Sequence, residues 1–599
     1  MPQPPRHAVR GRLVWFTDDP AVAGPAAVRD IADGAVVIEG ELIRAAGPAA
    51  EVLDPETPVC CYPDALILPG LIDTHIHYAQ TRVIGSYGAQ LLDWLNRYTF
   101  PAERRFADPA YCAETAAFFI AELFRNGTTT AVVYPTVHPA SVDAICAAAE
   151  ARSMCLLTGK IMMDDGPEGL RDTAESGYRE SKALIERWHG RGRIGYAVTP
   201  RFAVTSSRAQ LEAAGALLAE HPDCWLQTHL SENRAEIRTV AERFPEARDY
   251  LDVYDRARLL GPRSLFGHCI HLSPAERQRL SETGSVAVFC PTSNLFIGSG
   301  LFDLAAMRAA EAPVRVALAT DVGGGTAYSL LRTAAEGYKV LQLQGQSWPA
   351  FEACYAMTLG NARALGLEAE IGTLEPGSHA DLVVLEPAAT AALAHRLEAL
   401  DDDALDERLF ALMTMGDDRA GLLGRRSLFG HAIHLSPAER QRLSETGSIA
   451  VFCPTSNLFI GSGLFDLAAM RDPAAPVRVA LATDVGGGTS YSLLRTTAEG
   501  YKVLQLQGQS WPAFDAFYAM TLGNARALGL EAEIGTLEPE SHADLVVLEP
   551  AATPALAHRL AAVDDAALDE QLFALLTMGD DRAVAATYVA GRKVHARQP

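Results

Sequence analysis

Leu68-Pro69-Gly70-Leu71-Ile72-Asp73-Thr74-His75-Ile76-His77 runs an apolar strand into two histidines two residues apart. Side chains at i and i+2 of a strand share a face, so both imidazoles can meet one metal ion. Histidine nitrogen is the commonest protein ligand for zinc and its neighbours. An isolated His-x-His more often sits on an ordinary strand surface. The residues downstream lift this one above that reading.

Further apolar runs follow at 128–136, 155–163, 192–200, 225–231, 264–270, 285–291 and 315–321, separated by helical stretches such as 109–125 and 207–219. Strands alternating with helices predict a parallel sheet. Eight of them predict an α/β fold of the (β/α)8 TIM type, expected over 69–371. Such barrels carry their chemistry at the C-terminal ends of the strands. Here those ends hold His75 and His77, Arg201-Phe202, His229-Leu230-Ser231-Glu232, His268 and Asp321. Three histidines and a carboxylate suit zinc or another divalent transition metal, with one position left for water. Taken singly, His268 reads as a hydrogen-bonded core histidine and Asp321 as a turn residue. Five strand ends together are hard to arrange by coincidence.

A tandem repeat dominates the second half. Residues 255–417 and 418–580 align without a gap at a constant offset of 163, with 18 differences. Asp-Arg-Ala begins each copy, at Asp255 and Asp418, and follows the second at Asp581. A crossover between short matching sequences leaves that pattern. The second copy repeats the last three barrel strands near 427–433, 448–454 and 478–484, so three are surplus to a barrel of eight. His431 and Asp484 duplicate His268 and Asp321. Short strands at 11–16, 35–43 and 65–68, with others in 543–548 and 586–595, predict a small composite β-domain made from 1–68 and 543–599.

The formal net charge of −23 argues against nucleic acid and anionic membrane as partners. No apolar run reaches the length of about 18 residues expected of a membrane span, and the first residues lack the apolar core of a secretory signal. Ten cysteines form no CxxC pair. The expectation is a reduced, cytoplasmic protein. The glycine-rich stretch from Asp321 lacks the lysine of a phosphate loop. Cys290-Pro291 is not the PCxxC of the cysteine-ligated zinc deaminases, so Cys290 reads as structural. The acidic run Asp401-Asp402-Asp403 reads as a solvated helix start.

His75, His77 and Gln80, the block Gly88-Ala89-Gln90-Leu91-Leu92-Asp93-Trp94-Leu95, Thr199-Pro200-Arg201-Phe202, Gln227-Thr228-His229-Leu230-Ser231-Glu232, Cys290-Pro291-Thr292-Ser293-Asn294-Leu295 and Gly416-Asp417-Asp418-Arg419 resemble the metal-dependent amidohydrolase superfamily, and within it the branch that deaminates guanine. The resemblance covers about 8 to 420 and then the repeat and tail. It implies one divalent metal, zinc as first choice, held by His75, His77, His229 and Asp321 (or Asp484). The implied reaction is hydrolysis of guanine to xanthine and ammonia. Glu232, His268 and Asp321 would be the catalytic groups, and Gln80, Arg201 and Phe202 would bind substrate. The family also suggests a homodimer. Two other readings stand beside this one: an amidohydrolase acting on a different aminated or chlorinated N-heterocycle, and an inactive pseudoenzyme created by the duplication.

Either copy can complete the barrel. The second brings its own terminal strands. The first is made earlier and has Gly377 where the second has Glu540, in a turn before a strand. The expectation is that His268 and Asp321 are the working pair, with His431 and Asp484 in a displaced half-barrel whose exposed apolar faces promote association.

Overall fold

Gly40 has φ of +66°, which divides the single strand expected at 35–43 into a hairpin. The computed structural model describes residues 6–86, 90–385, 428–564 and 567–597. Gly88-Ala89, the acidic run at 401–403, Gly416 to Arg419 and the junction of the two copies lie outside them. Strands β1 (Arg6–Phe16), β2 (Val28–Glu39), β3 (Leu42–Pro48) and β4 (Val59–Pro69) form one sheet. Leu13, Trp15, Val36, Ile38, Ile43, Ile67 and Leu374 make its core.

The second compact unit holds the barrel. Its strands are β5 (Leu71–His77), β6 (Thr128–Tyr134), β7 (Cys155–Thr158), the short β8 (Ile161–Met162), β9 (Ile194–Pro200), β10 (Trp225–Leu230), β11 (Ser264–His268), β12 (Val286–Phe289) and β13 (Arg315–Leu318). Neighbours follow chain order from β5 to β13, with β8 pairing on β9. All seven residues of β5 are buried, as expected of a parallel strand covered on both faces. The helix Pro109–Arg125 shows how the sequence sets the flanking elements. Asp108 caps it by accepting from Ala110 N at 2.9 Å, proline occupies its first turn, and Cys112, Ala116, Phe119, Ile120 and Leu123 form its buried stripe.

Where the barrel closes, Thr74 Oγ1 donates to Leu318 O at 3.1 Å, Asp321 N to His75 O at 2.9 Å and His77 N to Val322 O at 3.3 Å. The first copy therefore supplies the last three strands. The second copy's β15 (Leu428–Gly430), β16 (Ile449–Phe452) and β17 (Arg478–Leu481) form a separate three-stranded sheet. Leu428, Val485 and Tyr491 are 49%, 43% and 71% exposed, whereas their equivalents Leu265, Val322 and Tyr328 are at most 5% exposed. The same sequence is a closed wall in one copy and an open half in the other. No helix among the described residues is long and apolar enough to cross a membrane.

The composite β-domain expected from 1–68 and 543–599 is corrected. The strand that joins β4 is β14 (Leu382–Leu385), from the first copy, in antiparallel register from Leu382–Pro69 to Leu385–Leu66. Its second-copy equivalent, β18 (Leu545–Leu548), pairs instead with β19 (Val584–Val589), and β19 pairs with β20 (Arg592–Ala596). The turn entering each strand differs in strain. Gly377 has φ of +94° and donates its N–H to Ile43 O at 2.8 Å, while Glu540 is held at φ of +76°. Only glycine takes that conformation at little steric cost.

An added Cβ at Gly377 meets nothing within 4 Å, so substitution there costs backbone strain alone. We expect Gly377→Ala to lower unfolding stability by about 1 kcal/mol and Glu540→Gly to change it in the opposite sense by a similar amount. Urea midpoints measure both. Midpoints that do not move would reject this account of the turn.

Candidate active site

Five strand ends converge on one buried centre. The ligand atoms of His75, His77 and His229 lie within 4.8 Å of one another, and so do those of His75, His268, Cys290 and Asp321. His77 Nε2 is 3.3 Å and His75 Nε2 3.5 Å from Asp321 Oδ1. His75 Nε2 and His77 Nδ1 are buried with no hydrogen-bond partner. Such atoms are costly unless something else satisfies them. A divalent cation fits this donor set.

The electrostatics suit a ligand role. Burial lowers His77 to about 4 and His268 to about 3, and it drives His229 well below the usual imidazole range. The imidazoles are thus neutral at pH 7, the state that ligates metal. Burial opposes ionisation of Asp321, but the neighbouring imidazoles of His75 and His77 outweigh it and hold the carboxyl well below its ordinary value. Glu232 goes the other way. Burial first, then the charges of Glu236 and Asp321, raise it well above the usual carboxylate range, which favours its protonated form.

Local chain geometry aims these groups. His268 and Asp321 have φ of +70° and +51°, a conformation that non-glycine residues hold only where the surroundings impose it. A Cβ on Gly267 would stand 2.7 Å from His75 Cε1, and one on Gly323 would stand 2.0 Å from Gln80 Oε1. The glycines of the Asp321 stretch therefore serve close packing around the site. His229 Nδ1 lies 2.8 Å from Arg201 O, which turns Nε2 towards the centre. Asn294 Nδ2 meets His268 Nδ1 at 2.9 Å, leaving Nε2 to face Glu232 Oε2 at 3.4 Å and Asp321 Oδ2 at 3.8 Å. Ser299 Oγ donates to Glu232 Oε1 at 2.9 Å.

The cavity beside this centre is lined by His77, Gln80, Arg201, Phe202, Glu232 and Asp321, with Leu91, Trp94, Leu95 and Ile297 as its apolar wall. The site candidates His75, His77, Gln80, Arg201, Phe202, His229, Glu232, His268 and Asp321 are thus brought together. His431 and Asp484 are not. They face each other at 3.6 Å on the open half-barrel, each more than a third exposed, with Cys453 as their nearest companion ligand. Cys290 lies near the centre, but burial holds its thiol protonated and its sulfur contacts Val288 O at 3.6 Å.

Sequence reading missed Glu103. Its buried carboxylate accepts from Arg201 Nη1 at 2.8 and 2.7 Å and from Gln80 Nε2 at 3.2 Å, fixing two substrate-site candidates at once. It also missed Tyr134, stacked on His77 with ring centroids 4.5 Å apart, and the supports Asn294 and Ser299. A lone Glu in Pro101-Ala102-Glu103-Arg104 carries no signal, since exposed helical glutamates are common.

The amidohydrolase family model matches residues 66–417 and again 394–594. The chain belongs to the amidohydrolase family. The two overlapping matches accord with the internal duplication. The guanine deaminase of Escherichia coli (strain K12) is 48% identical over 420 residues, covering 69% of this chain and 94% of that protein. A probable guanine deaminase of Deinococcus radiodurans is 43% identical, over 66% of this chain and 92% of that one. Among solved structures, E. coli guanine deaminase matches with a TM-score of 0.64 over 69% of this chain and 96% of that chain. Guanine deaminase from C. acetobutylicum, with guanine bound in its active site, matches at 25% identity and a TM-score of 0.58, over 63% and 90%.

Arg201 and Glu103 are 3% and 1% exposed, so removing one charge strands the other. We expect Glu103→Gln to cost about 3–5 kcal/mol of stability while metal content stays unchanged, because Glu103 touches none of the candidate ligands. Denaturant unfolding and elemental analysis test the two halves separately. Loss of metal would show that Glu103 supports the metal centre instead.

Proposed function

We propose that this chain hydrolyses guanine at its 2-amino group, releasing xanthine and ammonia. The single observation that carries the reading is the junction of the two halves of the site. The carboxyls of Glu232 and Asp321, shifted in opposite directions by their surroundings, border the same buried centre that Gln80, Arg201 and Phe202 line. The similarity to guanine deaminases along nearly the whole length of those relatives supports it.

His75, His77, His229 and Asp321 would hold one divalent ion, zinc in our reading. When bound, such an ion lowers the pKa of water towards 7, so that a nucleophile is available at neutral pH. Asp321, kept ionised by its histidine neighbours, accepts the proton of the attacking water. Glu232 donates its proton to a ring nitrogen of guanine and then relays a proton to the departing amine. His268, neutral and steered by Asn294, presents Nε2 to the same space and orients the attacking water. Gln80 and Arg201 offer complementary donors and an acceptor to the edges of the base, and Phe202 an apolar face. A ring lacking those edge groups leaves buried polar atoms unpaired and is rejected on that ground. We place the reaction in the breakdown of purine bases in the cytoplasm.

Xanthine and ammonia release from guanine, assayed beside adenine and cytosine, tests the substrate. Turnover of another ring without guanine would overturn it. Glu232→Gln should retain the metal and lose about 10²–10⁴-fold in turnover; loss of metal in that variant would make Glu232 a ligand. Asp321→Asn should abolish activity while Asp484→Asn leaves it nearly intact. The reverse pattern moves the working site to the second copy.

A further inference from the structure

The two copies touch through equivalent surfaces. The helix Leu330–Gln342 of the first copy packs on Pro454–Ile460 of the second, and Leu493–Leu506 of the second packs on Pro291–Ile297 of the first. These contacts recur with their partners exchanged at the offset of 163. Phe296 meets Tyr501 with ring centroids 5.4 Å apart, and Tyr338 meets Phe459 at 5.2 Å. Gly298 lies against Gln505, where a Cβ would be 3.0 Å from the carbonyl oxygen. Gly461 lies against Gln342, where that distance would be 2.7 Å. Contacts in which i meets j while j meets i are the signature of a two-fold, self-complementary surface.

Four charges sit at its centre. Lys339 Nζ is 2.7 Å from Glu499 and 3.1 Å from Glu336, while Lys502 Nζ is 2.7 Å from Glu336 and 3.1 Å from Glu499. All four side chains are at most 2% exposed. Each copy alone holds one Lys and one Glu of this ring. With the other copy removed, both would lose their closest partners. A buried charge is tolerable only when paired, so this surface is built to be covered by another of its own kind.

We propose that the face formed by Pro291–Ile297 and Leu330–Gln342 is a self-association surface and that the second copy occupies it as a built-in partner subunit. The occupant also supports the site. Tyr501 and Phe573 pack on Phe296, in the same short helix as Asn294, which steers His268. Gln505 backs Gly298, beside Ser299, the donor to Glu232. Arg559 donates to Ile84 O at 3.0 Å and to Ser86 Oγ at 2.9 Å, just before the Leu91–Leu95 wall of the cavity.

Charge exchange in the full-length chain tests the proposal by native mass. Lys502→Glu sets Glu336 and Glu499 against a third carboxylate and should expel the second copy. The first-copy face, still carrying Glu336 and Lys339, then pairs with the same face of another chain, and the mass doubles relative to the unaltered protein. Adding Glu336→Lys restores both cross-copy attractions: positions 336 and 502 again carry opposite charges, with their signs exchanged, and Lys339 keeps Glu499. It also sets like charges against one another in any pairing between chains. The mass should return to that of the unaltered protein. Should Lys502→Glu prove insoluble, recovery of soluble protein at the original mass by Glu336→Lys/Lys502→Glu supports the proposal equally. A mass that Lys502→Glu does not change, or a doubled or insoluble state that the second substitution does not reverse, overturns it.

Discussion

Closure of the barrel between its first and last strands is the constraint on which the rest depends. Asp73 accepts at Oδ1 from Thr320 N at 3.2 Å and at Oδ2 from Thr320 Oγ1 at 2.5 Å, while the Thr74 hydroxyl donates to Leu318 O and the Asp321 N–H to His75 O. These bonds hold two segments more than 240 positions apart in register. The same register brings the Asp321 carboxylate beside His75 and His77. Fold closure and ligand assembly are one event, so a chain that fails to close also fails to build a site. Only one strand can lie beside β5 at this seam, so two nearly identical copies compete for it.

The competition is decided by small differences. The copies' strands differ only in Val286 against Ile449, both apolar, so hydrophobic pattern cannot separate them. Gly377 and Glu540 can, because the turn before β14 needs a positive φ that glycine meets at little cost. Chain connectivity adds to this, since the first copy is continuous with β10 and reaches the seam without looping out 163 residues. The terminal strands then pair with what remains. β18 has lost β4 to β14 and closes a small sheet with β19 and β20. Predicting a composite of both chain ends required knowing which copy reaches β4, and composition and periodicity do not hold that information.

The metal-ligand candidates were legible for a different reason. His75, His77, His229, His268 and Asp321 are rare residue types at the ends of apolar strands, where a structural role is a poor explanation. Arg201 and Phe202 were legible from the same position. Glu103 was not, because its meaning lies in a partner 98 positions away whose charge it neutralises. Asn294 and Ser299 were hidden likewise. Each contributes an ordinary polar side chain, and only the turn that carries them aims it at His268 or Glu232. Single-residue chemistry is visible in sequence when the residue is unusual for its element. The groups that orient such residues become visible only once elements are packed.

The duplication retained a foldable arrangement because of where its boundaries fall. A copied segment normally exposes surfaces evolved to be covered by the rest of the chain, and the open half-barrel does so: Leu428 in β15 and Tyr491 after β17 are exposed where Leu265 and Tyr328 are buried. The face containing Phe296, Gly298, Tyr338, Glu336 and Lys339 lies wholly within the repeated segment, so the copy carries that surface complete. Two complete self-complementary faces tethered in one chain meet at a high effective concentration, and their four buried charges neutralise one another without any new residue. The same event therefore produced one unsatisfied surface, the open half-barrel, and satisfied another. The difference between the two outcomes is whether a surface complements its own kind or a strand that the copying left behind.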